Sequence, residues 1–538
     1  MFFFFFLVTW VQNPQNTFGD LAEILKQLDR HSFVRLQEDT AAKAINGMLK
    51  TLDPHSSYYD RAEFSEIMAS QLGSFTGIGI RVLKNHSHLY ISEVKPNSPA
   101  KRAGLAWGDR ITSVNGQRTT LENIDLLVDQ IRGPIDEPLF LSIKTLQGER
   151  RELNLKRAEI QNTNMLQAFV FPLTAFEART GYIKLNEFGE TSGSEIQEQL
   201  HTMLQDGLDY LILDLRRNPG GLLPQATKVA GLFLPGRSLV VSTQSRNALE
   251  SQQYFTSQDP PMYRGPLAVL IDQHTASAAE IVAGALQDHD RAIILGSQSW
   301  GKGLVQSVFS IPPGETGLAL TTARYFTPLG RDIQGQFEDI YDYIQPDSGD
   351  TFFFKTKQAM DQFVTTRSGR KLYYTRGICP DVFYHDQTMV LAHHLSTVGF
   401  TLPLFLISHP QKDLMDFRSF FKAYREFFLY HNHFEIPITM DHKEAVFLYR
   451  EYVYYLHQFV LEKPLDGEIM LDDPLIQLAL SLWNESYAMS QACFENRPLP
   501  DQTMKHFMRT SRAFRTQPSI QPIIKPIAPN SSTGGHLN

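Results

Sequence analysis

The sequence predicts a multidomain α+β protein in which a layered α/β core follows a small β-rich module, with helical segments at both ends. Three observations carry that prediction. The chain has 538 residues, 42% of them hydrophobic, enough to build the cores of roughly three or four domains. From Gly73 onward, short apolar runs are separated by Gly, Asn and Pro, the texture of a small β domain. From Gly181 onward, strand-like and helix-like runs alternate, as in helices layered on a sheet.

The opening Met1 to Val11 (MFFFFFLVTWV) is apolar, lacks a preceding basic residue and is too short to span a bilayer. It reads either as the remnant of a secretory signal or as a buried or disordered tag. Residues 17–72 are expected to be helical, because Ala41, Ala42, Ile45, Met48 and Leu49 recur at helical spacing after the caps Asp39 and Thr40. A turn at Asp53-Pro54-His55 follows, with His55 in a structural role. The net charge of -8 and the absence of a long Lys/Arg block point to no nucleic-acid partner. Cys379 and Cys493 are the only cysteines and share no metal-ligand spacing, so neither a metal site nor a disulfide framework is expected. Val390 to Ile407 is apolar but interrupted by His393, His394, Gly399 and Pro403, which argues against a transmembrane span.

In the core, Gly181 to Leu185 (GYIKL) and Tyr210 to Leu215 (YLILDL) are candidate strands around a helix from Ser194 to Leu204. The second strand runs into Arg216-Arg217-Asn218-Pro219-Gly220-Gly221, whose glycines let backbone approach a ligand closely. A third apolar run, Leu267 to Ile271, breaks at Asp272 to Thr275 and delivers Ser277 to a helix from Ala278 to about Gln287. Then come Ala292 to Leu295, Trp300-Gly301-Lys302-Gly303 and Gln306. A serine on a sharp strand-to-helix turn exposes its hydroxyl and leaves nearby N–H groups unpaired, which suits a nucleophile beside an oxyanion hole.

A lysine serving as base must lose its proton, and moving its pKa from about 10.4 towards 7 takes roughly 4 kcal/mol of desolvation or charge effect. Lys302 sits between two glycines in a run without charge, and Gln306 is placed to hold the neutral amine without restoring its charge. A carboxylate there would work against it. Singly, each signal is weak: serine before a helix is ordinarily an N-cap, and Gly-Lys-Gly is ordinarily a solvated turn without the spacing of a phosphate loop. His274 is the rival base, but it lies too near Ser277 in sequence and lacks an evident Asp partner. His289, between Asp288 and Asp290, reads as a surface histidine at a helix end.

In the β-rich module, Gly77-Ile78-Gly79-Ile80, then Ser98-Pro99-Ala100 with Ala103-Gly104-Leu105, then Gly108-Asp109-Arg110-Ile111 with Val114-Asn115-Gly116 stand in an order that resembles a PDZ domain over residues 73–158. Such a glycine-rich loop exposes N–H groups to a peptide's terminal carboxylate, and the next strand pairs with the peptide. Gly77, Ile78, Gly79 and Ile80 are therefore the candidate peptide-binding residues.

Thr275-Ala276-Ser277-Ala278-Ala279-Glu280-Ile281, Ala283 to Asp288 and Gly301 to Gln306 together resemble the C-terminal processing peptidases, or tail-specific proteases. The resemblance takes in Leu52 to Tyr59 (LDPHSSYY), Asn218 to Gly221, Thr321 to Gln334 (TTARYFTPLGRDIQ) and Gly377 to Val382 (GICPDV), and spans about residues 35–385. It implies Ser277 as nucleophile, Lys302 as general base and Gln306 as the residue orienting the lysine. The backbone N–H groups of Ala278 and of Gly220 or Gly221 would form the oxyanion hole. It further implies acyl-enzyme proteolysis of protein or peptide substrates with accessible C-termini, an exported or periplasmic location, and no metal or organic cofactor. A homo-oligomer or an adaptor would be a further partner. Ala279 departs from the family, many of whose members have a second serine there.

The expected organisation is an apolar segment (1–16), a helical N-terminal domain (17–72), the PDZ domain (73–158), and a peptidase core (159–385) carrying an insertion at 335–374. A helical extension (386–515) and a disordered tail (516–538) complete it. Apolar stripes in the extension comprise Phe417, Phe420, Phe421, Tyr424 and Phe428, and Val446, Tyr449, Val453 and Val460; Asp472-Asp473-Pro474 is an acidic helix start. The alternative is a PDZ adaptor or chaperone-like protein with an inactive core, against which the joint presence of Ser277, Lys302 and Gln306 argues. A Ser-His esterase using His274 is a third reading.

Overall fold

The computed structural model describes residues 40–60, 74–161 apart from 86, 87 and 121, 165–171, 178–312, 316–334, 362–384 and 473–495, with scattered positions at 23–31, 61–68 and 405–424. The segment 1–16, most of the insertion (335–361), the 446–460 stripe and the tail 516–538 lie outside the described residues. The chain divides into two compact units, residues 1–67 with 305–322 and residues 68–304 with 323–538.

In the first unit the helix Thr40–Leu49 forms where helical spacing predicts it. After it, Asp53 gathers a turn: Oδ1 accepts the N–H groups of His55 and Ser56, both at 2.8 Å, and Oδ2 accepts Ser56 Oγ at 2.7 Å. The turn aims the His55 carbonyl at Gln306, whose Nε2 donates to it at 2.7 Å. The 17–72 segment was expected to be a helical domain broken by the turn at Asp53–His55; past that turn Ser57–Tyr59 is a strand paired antiparallel with residues 317–319, where two tyrosines suit a pleated surface better than a helix.

The second unit opens with an antiparallel sheet of Ile80–Asn85, His88–Val94, Arg110–Val114, Pro138–Lys144 and Arg150–Lys156. Leu139, Leu141 and Ile143 turn inward at period two while Phe140 between them is half-exposed. The helix Ile124–Ile131 packs on this core through Ile124, Leu127 and Ile131. Ser74–Gly77 pairs antiparallel with Ala158–Gln161, joining the entry and exit of the module.

Beyond it stands a six-stranded sheet in sequential order: β1 (Met165–Val170), β2 (Thr180–Leu185), β3 (Tyr210–Asp214), β4 (Leu267–Ile271), β5 (Ile293–Gly296) and β6 (Val382–Phe383). β1 is antiparallel to β2 and the remaining neighbours are parallel. Parallel strands buried on both faces should read as continuous apolar runs, and β3 and β4 are buried at every position. The connections include α1 (Ser192–Gln205), α2 (Leu223–Gly231) and α3 (Ala278–Asp288). On one face, Tyr182, Tyr210, Ile212, Leu270 and Leu295 pack against α4 (Pro474–Ser481) and α5 (Trp483–Glu495).

Arg291, fully buried, fastens α5 to this core. Nε donates to the Phe233 carbonyl at 2.9 Å, Nη1 to Ser490 Oγ at 2.9 Å, and Nη2 to the carbonyls of Tyr263 and Gly265 at 3.0 and 2.8 Å. Burial draws its pKa down to about 10. Arg291→Met keeps apolar bulk but removes four hydrogen bonds and leaves the Phe233 and Tyr263 carbonyls without their arginine donor, so it is expected to destabilise this unit by about 3 kcal/mol or more. Loss of hydrogen-exchange protection in β4 and β5 is the measurement.

Candidate active site

The turn between β4 and α3 is set by side chains that replace the missing strand partners. Asp272 Oδ1 accepts the N–H groups of His274 at 3.0 Å and Arg217 at 2.9 Å, and Thr275 Oγ1 donates to the Leu215 carbonyl at 2.8 Å. The Ala276 N–H donates to the Asn218 carbonyl at 2.9 Å, binding the turn to the loop after β3. Ser277 then takes φ 55° and ψ -118°, a conformation costly for an L-residue and characteristic of strained functional turns. Its successor Ala278 is the first residue of α3, and among the described residues its N–H has no acceptor.

Gly220 closes over this turn. At φ +101°, a Cβ on it would stand 2.7 Å from the Ala276 oxygen, 2.7 Å from Ser277 Cβ and 2.8 Å from Ala278 N, so only glycine fits. Its own N–H donates to Asn218 Oδ1 at 2.9 Å. The Phe188 N–H takes the Gly220 carbonyl and the Leu222 N–H takes the Phe188 carbonyl, leaving the Gly221 N–H without an acceptor among the described residues.

Glu280, one turn into α3 and fully buried, ties the serine to the lysine segment. Its Oε2 accepts Ser277 N–H at 2.8 Å and Lys302 N–H at 2.9 Å; its Oε1 accepts Gly301 N–H at 2.7 Å and Ser299 Oγ–H at 2.5 Å. One carboxylate thus holds the backbone amides of both predicted catalytic residues. Burial pushes its carboxyl above the ordinary range, opposed by these four donors. A second tie runs from Trp300 N–H to the Thr275 carbonyl at 2.9 Å.

Lys302 is further framed by Tyr325, whose hydroxyl donates to its carbonyl and whose N–H donates to the Gly303 carbonyl at 2.9 Å. Burial moves the Lys302 amine below its ordinary pKa, against the upward pull of the Glu280 charge. Gln306 belongs to the first unit, on the strand Leu304–Ile311, with its amide on the His55 carbonyl. His274 is exposed with its ring beside Gln273. His289, expected at the surface, is half-buried, and its Nε2 lies 2.7 Å from the Leu239 carbonyl, which lies within reach where α3 packs on the strand Leu239–Ser245.

In the β-rich module, Ile78 is buried and its carbonyl accepts Ala100 N–H at 2.9 Å, while the Gly79 carbonyl accepts Lys95 N–H at 2.8 Å. With these carbonyls engaged, the Gly77–Ile80 loop is held from behind. Among the described residues no His, Cys, Asp and Glu cluster could hold a metal ion, and no helix is long and apolar enough to cross a membrane.

Two groups escape the sequence reading. The spacing Ser277-x-x-Glu280 was a legible signal, since a glutamate three residues after an N-cap reaches back to the cap's amide. Less legible is the cluster beneath the Asn218–Gly221 loop. Asp214, fully buried, accepts Tyr182 OH at 2.7 Å and Arg216 Nη2 at 2.6 Å, and Arg216 also reaches Asp473. Burial alone would raise the Asp214 carboxyl, but Arg216 and Lys184 hold it below its ordinary value.

Glu280→Ala removes the shared acceptor. The amides of Ser277, Gly301 and Lys302 are expected to lose hydrogen-exchange protection by roughly 10- to 100-fold, the worth of a charge-assisted hydrogen bond, while β2 and β3 retain theirs.

Comparison with known proteins shows the family of the chain. Peptidase family S41 matches residues 179–348, and the PDZ domain matches residues 90–145. The carboxy-terminal-processing protease of Bartonella bacilliformis is 38% identical over 333 residues, covering 60% of this chain and 74% of that protein. The carboxyl-terminal-processing protease of a Picosynechococcus species is 34% identical over 301 residues, covering 55% and 70%. Among solved structures, the photosystem II D1 C-terminal processing protease aligns over 58% of this chain and 83% of its own, with 27% identity and a TM-score of 0.35. A relative with this identity and coverage identifies the chain as a member of peptidase family S41, among the carboxy-terminal-processing proteases.

Proposed function

We propose that this chain is a serine endopeptidase of the Ser-Lys kind, cleaving proteins recognised through their C-terminal region by way of an acyl-enzyme. The observation that carries the reading is the single Glu280 carboxylate on the amides of Ser277 and Lys302. It fixes the strained serine and a half-buried lysine to one anchor.

In this mechanism the neutral Lys302 amine takes the proton from Ser277 Oγ as the oxygen attacks the scissile carbonyl carbon. The resulting oxyanion is met by the Ala278 N–H and by an N–H of Gly220 or Gly221. Collapse breaks the C–N bond, and the departing amine takes the proton from the lysine ammonium. Water then repeats the sequence on the ester. Gln306 is assigned to orienting the lysine by the family resemblance, and the Gly77–Ile80 loop to holding a substrate's terminal carboxylate. An exported, periplasmic location and any adaptor or homo-oligomer rest on that resemblance alone.

The test is cleavage of an unfolded protein with an apolar C-terminus by wild type, Ser277→Ala and Lys302→Ala, each verified as folded. Both variants are expected to lose activity by roughly 10⁴-fold or more, as when one member of a nucleophile–base pair is removed. Cleavage surviving Lys302→Ala would return His274 as base, and a wild type that binds peptide without cutting would favour the adaptor reading.

The pH dependence has a definite sign. Because the lysine acts unprotonated and burial lowers its pKa, kcat/KM is expected to rise with pH along a limb whose apparent pKa lies below the 10.5 of a free lysine. A rate independent of pH across the neutral to alkaline range would exclude Lys302 as base.

A further inference from the structure

Asp473, in the acidic helix start named above, has no part in the mechanism, yet it reaches the end of β3 from which the Asn218–Gly221 loop departs. Asp473 caps α4: Oδ1 accepts Leu475 N–H at 2.9 Å and Ile476 N–H at 3.4 Å. Its other oxygen, Oδ2, accepts Arg216 Nη1 at 2.7 Å. The rest of the Arg216 guanidinium is spent on Asp214, with Nε 3.0 and 2.9 Å from the two carboxylate oxygens and Nη2 at 2.6 Å. Two carboxylates, from β3 and from the C-terminal helix pair, therefore grip one arginine from opposite ends.

We propose that Asp473 is a positioning residue for the active site, acting through Arg216 on the Asn218–Gly221 loop. This rests on the Ser277 reading given above.

Arg216 is the second residue beyond β3, and the chain after it has little freedom. Arg217 takes φ 62° with its N–H on Asp272, Asn218 Nδ2 donates to the Leu185 carbonyl at 3.0 Å, and Gly220 lies against Ser277 Cβ and Ala278 N. A shift of Arg216 is thereby transmitted to the N–H groups that would meet the oxyanion, where misplacement by an ångström costs rate rather than binding. Docking of the helices does not need the ion pair, since Leu475, Ile476, Leu478 and Met489 already pack on the sheet. A buried ion pair is in any case weak support for stability. Its charge is better explained by the loop it steadies.

Capping and charge can be separated. Asparagine caps a helix as well as aspartate but carries no charge, whereas glutamate keeps the charge and caps poorly. The experiment compares full-length wild type, Asp473→Asn and Asp473→Glu for the rate of Ser277 labelling by a fluorophosphonate probe, for kcat and KM on an unfolded protein, and for thermal melting. The expected order of labelling rate and kcat is Asp, then Glu, then Asn, with Asn slower than wild type by roughly tenfold. KM and the Asn variant's melting temperature should stay at wild-type values. Asn labelling at the wild-type rate, or Glu slower than Asn, would reduce Asp473 to a helix cap and overturn the proposal. Lys302→Ala run alongside keeps the two readings apart: labelling there at the wild-type rate defeats the Ser-Lys mechanism, while the Asp, Glu, Asn order still decides the role of Asp473.

Discussion

A single buried carboxylate organises the candidate active site. Glu280 accepts four hydrogen bonds from the serine turn and from the Ser299–Lys302 segment, and two of them are the amides of Ser277 and Lys302. Without that acceptor, the lysine segment and the serine turn would be tied mainly through Trp300 N–H and the Thr275 carbonyl. The arrangement has an electrostatic cost, because the same charge that positions Lys302 also favours its protonated form. Burial outweighs it, and the amine ends below its ordinary pKa, as a general base requires.

The sheet explains where the site can be. Loops after β3 and β4 leave the carboxyl ends of adjacent parallel strands, so the glycine loop and the serine turn emerge side by side, as in other open α/β sheets. Close approach is then a backbone matter. Gly220 admits no Cβ because the Ser277 turn occupies its place, and Ser277 itself is held at positive φ by contacts that over-determine it. Beneath this loop, Asp214, Arg216 and Asp473 carry the constraint onward to the C-terminal helices.

Much of this was legible in the sequence for identifiable reasons. β3 and β4 are buried on both faces, so their apolar runs stand out, and α3 begins one residue after Ser277, as the break at Asp272 to Thr275 implies. The Ser277 turn and the Lys302 segment are each weak signals alone, and it is the resemblance to the C-terminal processing peptidases that brings them into one reading. Glu280 stands at the capping-box spacing from Ser277, a local signal that announces a helix start but not that the same carboxylate also holds residues 299–302. Asp473 was invisible as a partner of Arg216 because 257 positions separate them and no periodicity links them. The strand Ser57–Tyr59 leaves no local signal for a similar reason, its partner lying at residues 317–319. At His289 the flanking charges suggest exposure, while the carbonyl it meets, Leu239, lies on a strand distant in sequence.

The central claim is that Ser277, activated by Lys302, carries the substrate's acyl group. It is tested most directly by mixing enzyme with substrate, quenching in acid within milliseconds to seconds, and mapping the adduct by peptide mass spectrometry. The account predicts a substrate-derived ester on Ser277 in the wild type and none in Lys302→Ala. Cleaved substrate with no adduct on Ser277 at any time would contradict it.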